Sequence, residues 1–330
     1  MIYPEFLKEK GTIGICAPSA GVGRKLEEFE TSNEVLKSLG YNIKETASVR
    51  VNNPRSASAR KRAKELEELF KDESVDFIMC AAGGDFMLEM MEYVDSDVIT
   101  QNPKWISGMS DPTNILFPIT TMLDIATIYG RNGAGFTFEK NRSQSDFLNF
   151  IKGKIVKQHS YKKFRTFLDE IEERKVYHDV RWIAKKEAVI EGRLIGGCIE
   201  SISKLIGTKF DHTNEFIDRY AQDGIVWYFD IFDMSSYNFY LTLLQFKNAG
   251  WFRNCRGVLI SRPAFPNIED KKLDYIKAAD KALGKIPHIL EMDIGHTSPN
   301  MTLINGALVK VEYKDNKGSI SFKLNRAATK

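Results

Sequence analysis

From Thr12 to Leu116 the chain alternates short, wholly apolar runs with amphipathic stretches, and three of those runs end in turns built from small residues. The runs are TIGIC, VDFIMC and the WIS of PKWIS; the turns are APSAGVG, AAGGDF and GMSDPTN. Between them, EEFETSNEVLKSLG and ASARKRAKELEELFKDES place apolar residues at helical spacing. An apolar run with no polar alternation is a strand buried on both faces, and a strand-helix-strand rhythm makes successive strands parallel. The expectation is an α/β chain whose N-terminal part is a doubly wound parallel sheet, flavodoxin-like, covered by helices on both faces. In such sheets ligands bind outside the carboxyl ends of the strands, so the three turns are where function is expected.

A chain of 330 residues, 43% of them hydrophobic, exceeds the usual size of a single core. Residues 1–150 are read as the N-terminal α/β domain. The composition turns polar from about Asn141, and residues 151–186 are expected to form a junction. Residues 187–330 are read as a second, smaller mixed α/β domain, with the runs GIVWYFD and GVLISRP and a β-rich end, ALVKVEYKDNKGSISFKL.

Charge and composition exclude several functions. The 47 basic and 44 acidic residues leave a net charge of +3 with no sustained basic stripe, so nucleic acid is not an expected partner. No apolar run reaches the length of a membrane span, and the opening MIYPEFLKEKGTIGICAPS carries charges where a secretory leader needs an apolar core, which predicts a cytoplasmic protein without membrane contact. Cys16, Cys80, Cys198 and Cys255 form no CxxC pair and the five histidines show no HExxH spacing, so no metal is expected. APSAGVGRK lacks both the GKS ending of a phosphate loop and the third glycine of a dinucleotide fingerprint; no cofactor is expected.

Five features bear on chemistry, each with two readings. Ser110, in Gly108-Met109-Ser110-Asp111, stands on a strand-to-helix turn, where a hydroxyl is exposed near a helix N-terminus or simply caps that helix. Gly83 and Gly84 let backbone approach a ligand, or make a tight turn. His296 follows the run HILEMDI on a loop, as a base or as a surface histidine. Asp230 ends an apolar strand, where a carboxylate needs a partner: it orients a histidine, or it caps a helix, as does its neighbour Asp233. Trp182 offers a ring for a substrate to stack on, or packs at a domain junction.

Taken in order, GICAPSAG, AAGGDF, KWISGMSD, GRLIGGC, WYFDIFD and DIGHTSPNMTL resemble the LD-carboxypeptidase family of serine peptidases over nearly the whole chain. The resemblance implies a nucleophile at Ser110, a base at His296 and, where the family carries glutamate, an orienting acid at Asp230. It further implies an oxyanion hole from the Gly84 and Asp111 backbone N–H groups, with Gly83 and Trp182 near substrate. The implied reaction is release of the terminal D-alanine from a murein tetrapeptide by a cytoplasmic homodimer that recycles wall peptides; the microcin C self-immunity branch instead cleaves an aminoacyl-nucleotide conjugate. The change from Glu to Asp withdraws the carboxylate by about 1.5 Å unless the backbone compensates. A non-catalytic binder of peptides or small molecules on the same fold is the rival reading, and restoring glutamate at position 230 is expected to separate the two.

Overall fold

The computed structural model describes residues 1–267 and 272–325. Its strands are β1 (Thr12–Cys16), β2 (Asn42–Glu45), β3 (Phe77–Cys80), β4 (Trp105–Gly108), β5 (Thr127–Tyr129), β6 (Gln158–His159), β7 (Lys163–Phe164), β8 (His178–Asp179), β9 (Ala188–Cys198), β10 (Ile225–Asp230), β11 (Cys255–Ser261), β12 (His288–Met292), β13 (Leu303–Asn305), β14 (Leu308–Lys314) and β15 (Lys317–Lys323). Two compact units emerge. The first holds Met1–Ile155 and Thr302–Gly306; the second holds Val156–Met301 and Ala307–Asn325.

The first unit is built on a sheet in the order β13-β5-β4-β3-β1-β2. Strands β1 to β5 are all parallel, in the doubly wound flavodoxin order, and only β13 runs antiparallel, against β5. Parallel strands are covered on both faces, which is why β3 and β4 are buried at every position. The helix Ala59–Lys71 shows the reason for its own placement: Ser58 caps it by accepting from the Lys61 N–H, and Ala63, Leu66, Leu69 and Phe70 fall on one buried stripe. Arg62 on this helix is also buried, and its guanidinium donates to the carbonyls of Pro18 and Phe86, 2.9 Å each, in the loops after β1 and β3.

The second unit is a seven-stranded sheet, β12-β11-β10-β9-β14-β15-β6. Its long central strand β9 is parallel to β10 on one side and antiparallel to β14 on the other. The core packs Trp227 flat against Trp251, ring centroids 5.5 Å apart, and the Trp227 indole N–H donates to the Trp251 carbonyl. This unit matches the first in length because the polar stretch after Ile155 folds into it. There β6 pairs with β15, Arg165 bridges Ser298, and Ile183 bridges Leu290. Those contacts are made by backbone, so the stretch needs no apolar run.

Trp182 belongs to the core of this unit. It is fully buried, and its indole N–H donates to Asp293 at 3.0 Å. The expectation that its ring stacks on a substrate is therefore corrected: the surrounding protein already covers both faces. Asp293 is equally buried and also faces the Arg262 guanidinium at 2.6 Å. Removing one partner of a buried pair leaves an uncompensated charge, at a cost of about 3–5 kcal/mol. We expect Asp293→Ala to lower the unfolding free energy by about that amount, read as a fall in the denaturant midpoint, with Trp182→Phe losing clearly less.

Candidate active site

In the first unit, β4 runs into a turn that leaves almost no freedom at Ser110. A side chain at Gly108 would lie 2.6 Å from Pro112, so the strand end closes tightly on the helix that follows. Met109 is clamped from both sides by Asn132, whose amide oxygen accepts its N–H at 3.0 Å and whose NH2 donates to its carbonyl at 3.2 Å. Ser110 itself has φ +75°, a left-handed conformation that costs energy in a serine and persists only where neighbours enforce it. Here its N–H donates to the Tyr129 hydroxyl at 3.1 Å and its carbonyl accepts the Thr113 N–H at 2.9 Å. The cap reading does not describe it: the helix Thr113–Leu123 starts behind Pro112 with no side-chain cap.

Asp111 fixes the loops around this turn. Buried beside Ser110, it accepts the Ser19 hydroxyl from the loop after β1 and the Met87 N–H at 2.8 Å from the loop after β3. Its other oxygen takes the Asn114 amide at 2.7 Å. Gly83 and Gly84 bring the β3 loop in: a Cβ at Gly83 would sit 3.0 Å from that of Ser110, and one at Gly84, where φ is +148°, would strike the Ser19 hydroxyl. Glycine at both places puts bare backbone against the serine.

In the second unit, β10 is buried along its whole length and ends in Asp230. A buried carboxylate requires partners, and His296 supplies Asp230 with two. Its Oδ2 lies 2.8 Å from His296 Nδ1, and its Oδ1 accepts the His296 backbone N–H at 3.3 Å. Gly295 makes this approach possible. Its φ is +73°, and any Cβ there would fall 1.8 Å from the Asp230 carboxyl carbon. The Asn300 amide donates to the Gly295 carbonyl at 2.6 Å and holds the loop in place. Asp230 thus reaches the imidazole despite its short side chain, because the histidine loop comes to it. Neither aspartate is a helix cap: Ser235 caps the helix Ser236–Asn248, and Asp233 is exposed.

The His296 ring also packs against Phe232 at 4.7 Å and Phe167 at 5.9 Å between centroids. Burial works against the charged imidazolium, but the Asp230 carboxylate 2.8 Å from Nδ1 outweighs it, with Glu200 and Asp233 adding to it. The result holds the His296 pKa above its ordinary 6.5. With Nδ1 turned to Asp230, Nε2 is the nitrogen left to exchange a proton.

One residue of this site escaped the sequence reading. Glu200, just past the end of β9, accepts three successive backbone N–H groups on its Oε1, from Phe232 at 2.9 Å, Asp233 at 3.1 Å and Met234 at 3.0 Å. Among the described residues, no group of three or more His, Cys, Asp or Glu is placed to hold a metal ion, and no helix is long and apolar enough to cross a membrane.

Two family models cover most of the chain: the LD-carboxypeptidase N-terminal domain matches residues 13–130 and the LD-carboxypeptidase C-terminal domain matches residues 191–311. The chain belongs to the LD-carboxypeptidase family. Relatives are distant but full in length. YocD of Bacillus subtilis (strain 168), named for a carboxypeptidase activity, is 26% identical and aligns over 94% of this chain and 96% of its own. The probable murein peptide carboxypeptidase of the same strain is 23% identical over 99% and 97%. The microcin C7 self-immunity protein MccF of Escherichia coli is 25% identical over 80% and 78%. The solved structure of MccF with aspartyl sulfamoyl adenosine superposes with a TM-score of 0.82 at 20% identity, covering 97% of this chain and 98% of that one, a likeness of fold.

Two outcomes follow from the His296 pair. Gly295→Ala is expected to part the histidine from Asp230, so that the imidazole titrates below its wild-type value by NMR. Asp230→Asn, which leaves burial opposed only by the charges of Glu200 and Asp233, should lower the pKa further. Because the folded pKa is raised, the pair's contribution to stability is fully present below about pH 6.5 and lost as pH rises through the folded value. The stability gap between wild type and Asp230→Asn should therefore close with rising pH.

Proposed function

We propose that this family member is a serine carboxypeptidase that cuts the L,D amide bond of a murein tetrapeptide and releases D-alanine. Ser110 is the nucleophile, His296 the base and Asp230 the acid that orients it. The observation that carries this reading is the buried Asp230–His296 pair, an imidazole fixed by a carboxylate through one nitrogen and left with the other for proton transfer. The strained backbone of Ser110 supports it, since serines raised on strand-to-helix turns are typical nucleophiles.

In the proposed reaction, His296 Nε2 takes the Ser110 hydroxyl proton as the oxygen bonds to the scissile carbonyl carbon. The backbone N–H groups of Gly84 and Asp111 are the proposed donors to the oxyanion. The C–N bond then breaks, the imidazolium gives its proton to the leaving amine, and D-alanine departs. Water repeats the sequence: His296 takes its proton, the hydroxide attacks the acyl ester, and Ser110 recovers the proton as the tripeptide leaves. The reading places the nucleophile in the N-terminal domain, residues 1–150, and acid and base in the C-terminal one, residues 187–330, of a cytoplasmic homodimer that recycles wall peptides.

A second reading, hydrolysis of an aminoacyl-nucleotide conjugate, is favoured by the likeness to MccF, whose solved complex contains aspartyl sulfamoyl adenosine.

The test is incubation with murein tetrapeptide and with aspartyl sulfamoyl adenosine, followed by mass spectrometry. Loss of one alanine is expected, at a rate reduced about a thousandfold or more in Ser110→Ala. Cleavage of the conjugate alone would favour the second reading, and no Ser110-dependent cleavage of either would favour a binder. A gain of hydrolysis with glutamate at position 230 would mean a detuned acid. Asp230 already stands 2.8 Å from the imidazole, and the Gly295 backbone leaves no room for another methylene. Asp230→Glu should therefore lower kcat, by about tenfold or more, instead of raising it.

A further inference from the structure

The loop that follows Asp230 does not hold its shape through contacts of its own. Its three consecutive backbone N–H groups, at Phe232, Asp233 and Met234, all point at Glu200 Oε1, which follows the same end of the neighbouring parallel strand β9. A single oxygen gathering three donors within 3.1 Å is a strong constraint on backbone direction. The residue it places first is Phe232, whose ring lies 4.7 Å from that of His296. Phe232 in turn packs edge-on against Phe265 and Phe167, and Phe167 also reaches the imidazole.

We propose that Glu200 is a positioning residue of the His296 site, its Oε1 fixing the loop behind Asp230 and so setting Phe232 against the imidazole. The inference rests on the reading of His296 as the base. It adds a residue that touches neither the serine nor the imidazole, and it separates two contributions of one carboxylate. The first is geometric, through Oε1. The second is electrostatic, since the charge on Glu200 acts on His296 together with Asp230 and Asp233. The groups that face Glu200 are the Cys198 thiol, which donates to Oε2 at 3.1 Å, Asp230 at the end of β10, and Asp233 in the same cavity wall. Burial, with the charge of Asp230, raises the Glu200 pKa, while the thiol and the backbone donors oppose that rise.

Two substitutions in the full chain separate geometry from charge. Glu200→Gln keeps an acceptor at the Oε1 position and removes the charge; Glu200→Asp keeps the charge and withdraws the oxygen by about 1.5 Å. The readouts are the ring-proton shift and titration of His296 by NMR, assigned with His296→Gln, and kcat and KM on the tetrapeptide. With Gln, the shift should stay near wild type, the imidazole pKa should fall, and kcat should drop by less than about threefold. With Asp, the ring shift should move, and kcat should drop about tenfold to a hundredfold with KM changed far less. Equal effects from both variants, a greater loss with Gln, or an unmoved shift and kcat with Asp would each overturn the proposal. The NMR arm needs no turnover, so a wild-type protein that cleaves nothing would defeat the proposed function while leaving the positioning of His296 tested.

Discussion

A carboxylate at the buried end of a central strand cannot stand alone, and the site in the second unit is organised around meeting that need. Asp230 is fully buried, and one residue supplies two of its partners, the imidazole and the backbone N–H of His296. That arrangement dictates the residue before the histidine. Only glycine fits where a Cβ would collide with the carboxylate, and only glycine takes the left-handed backbone there without strain. The charge of the aspartate then sets the proton affinity of the ring against the opposing pull of burial.

The first unit solves a different problem with polar side chains that face inward. Three loops leave the same edge of a parallel sheet, and nothing in a sheet aligns its loops with one another. Asp111 accepts donors from two of them, while Arg62 donates to carbonyls of the same two. One anion and one cation thus hold loop backbone from opposite polarities, and the strained turn at Ser110 is stabilised by the same set of contacts. Buried charged groups of this kind are tolerated because their charge is met, Asp111 by three donors and Arg62 by two carbonyls and the Glu89 carboxylate.

Much of this was readable from residues alone, and the reasons differ by place. The parallel sheet announced itself through apolar runs, because strands covered on both faces have no polar positions to blur the pattern. Ser110, His296 and Asp230 stood out because small or polar residues directly after such runs are anomalous. Glu200 gave no such sign: its partners are the backbone N–H groups of a loop far along the chain, and backbone donors carry no residue identity. Residues 151–186 read as a junction for the same reason, since β6 and the bridges at Arg165 and Ile183 are joined through main chain. For Trp182 the residues leave stacking on a substrate and packing both open, because its burial depends on Asp293 and Gly318, neither of them near it in sequence.

The antiparallel strand β13 gives the first unit an unusual dependence. Its five parallel strands are complete by Tyr129, yet among the described residues the strand that pairs with the outer flank of β5 is Leu303–Asn305, from much further along the chain. Until those residues arrive during synthesis, β5 presents an open edge of free N–H and C=O groups beside a hydrophobic sheet, the kind of edge that pairs with other chains. Strand β9 waits in the same way for β14. One short segment, β13 to β14, therefore completes the pairing of β5 in one sheet and of β9 in another, and a fragment cut between Tyr129 and Leu303 would carry the Ser110 turn on a sheet prone to self-association.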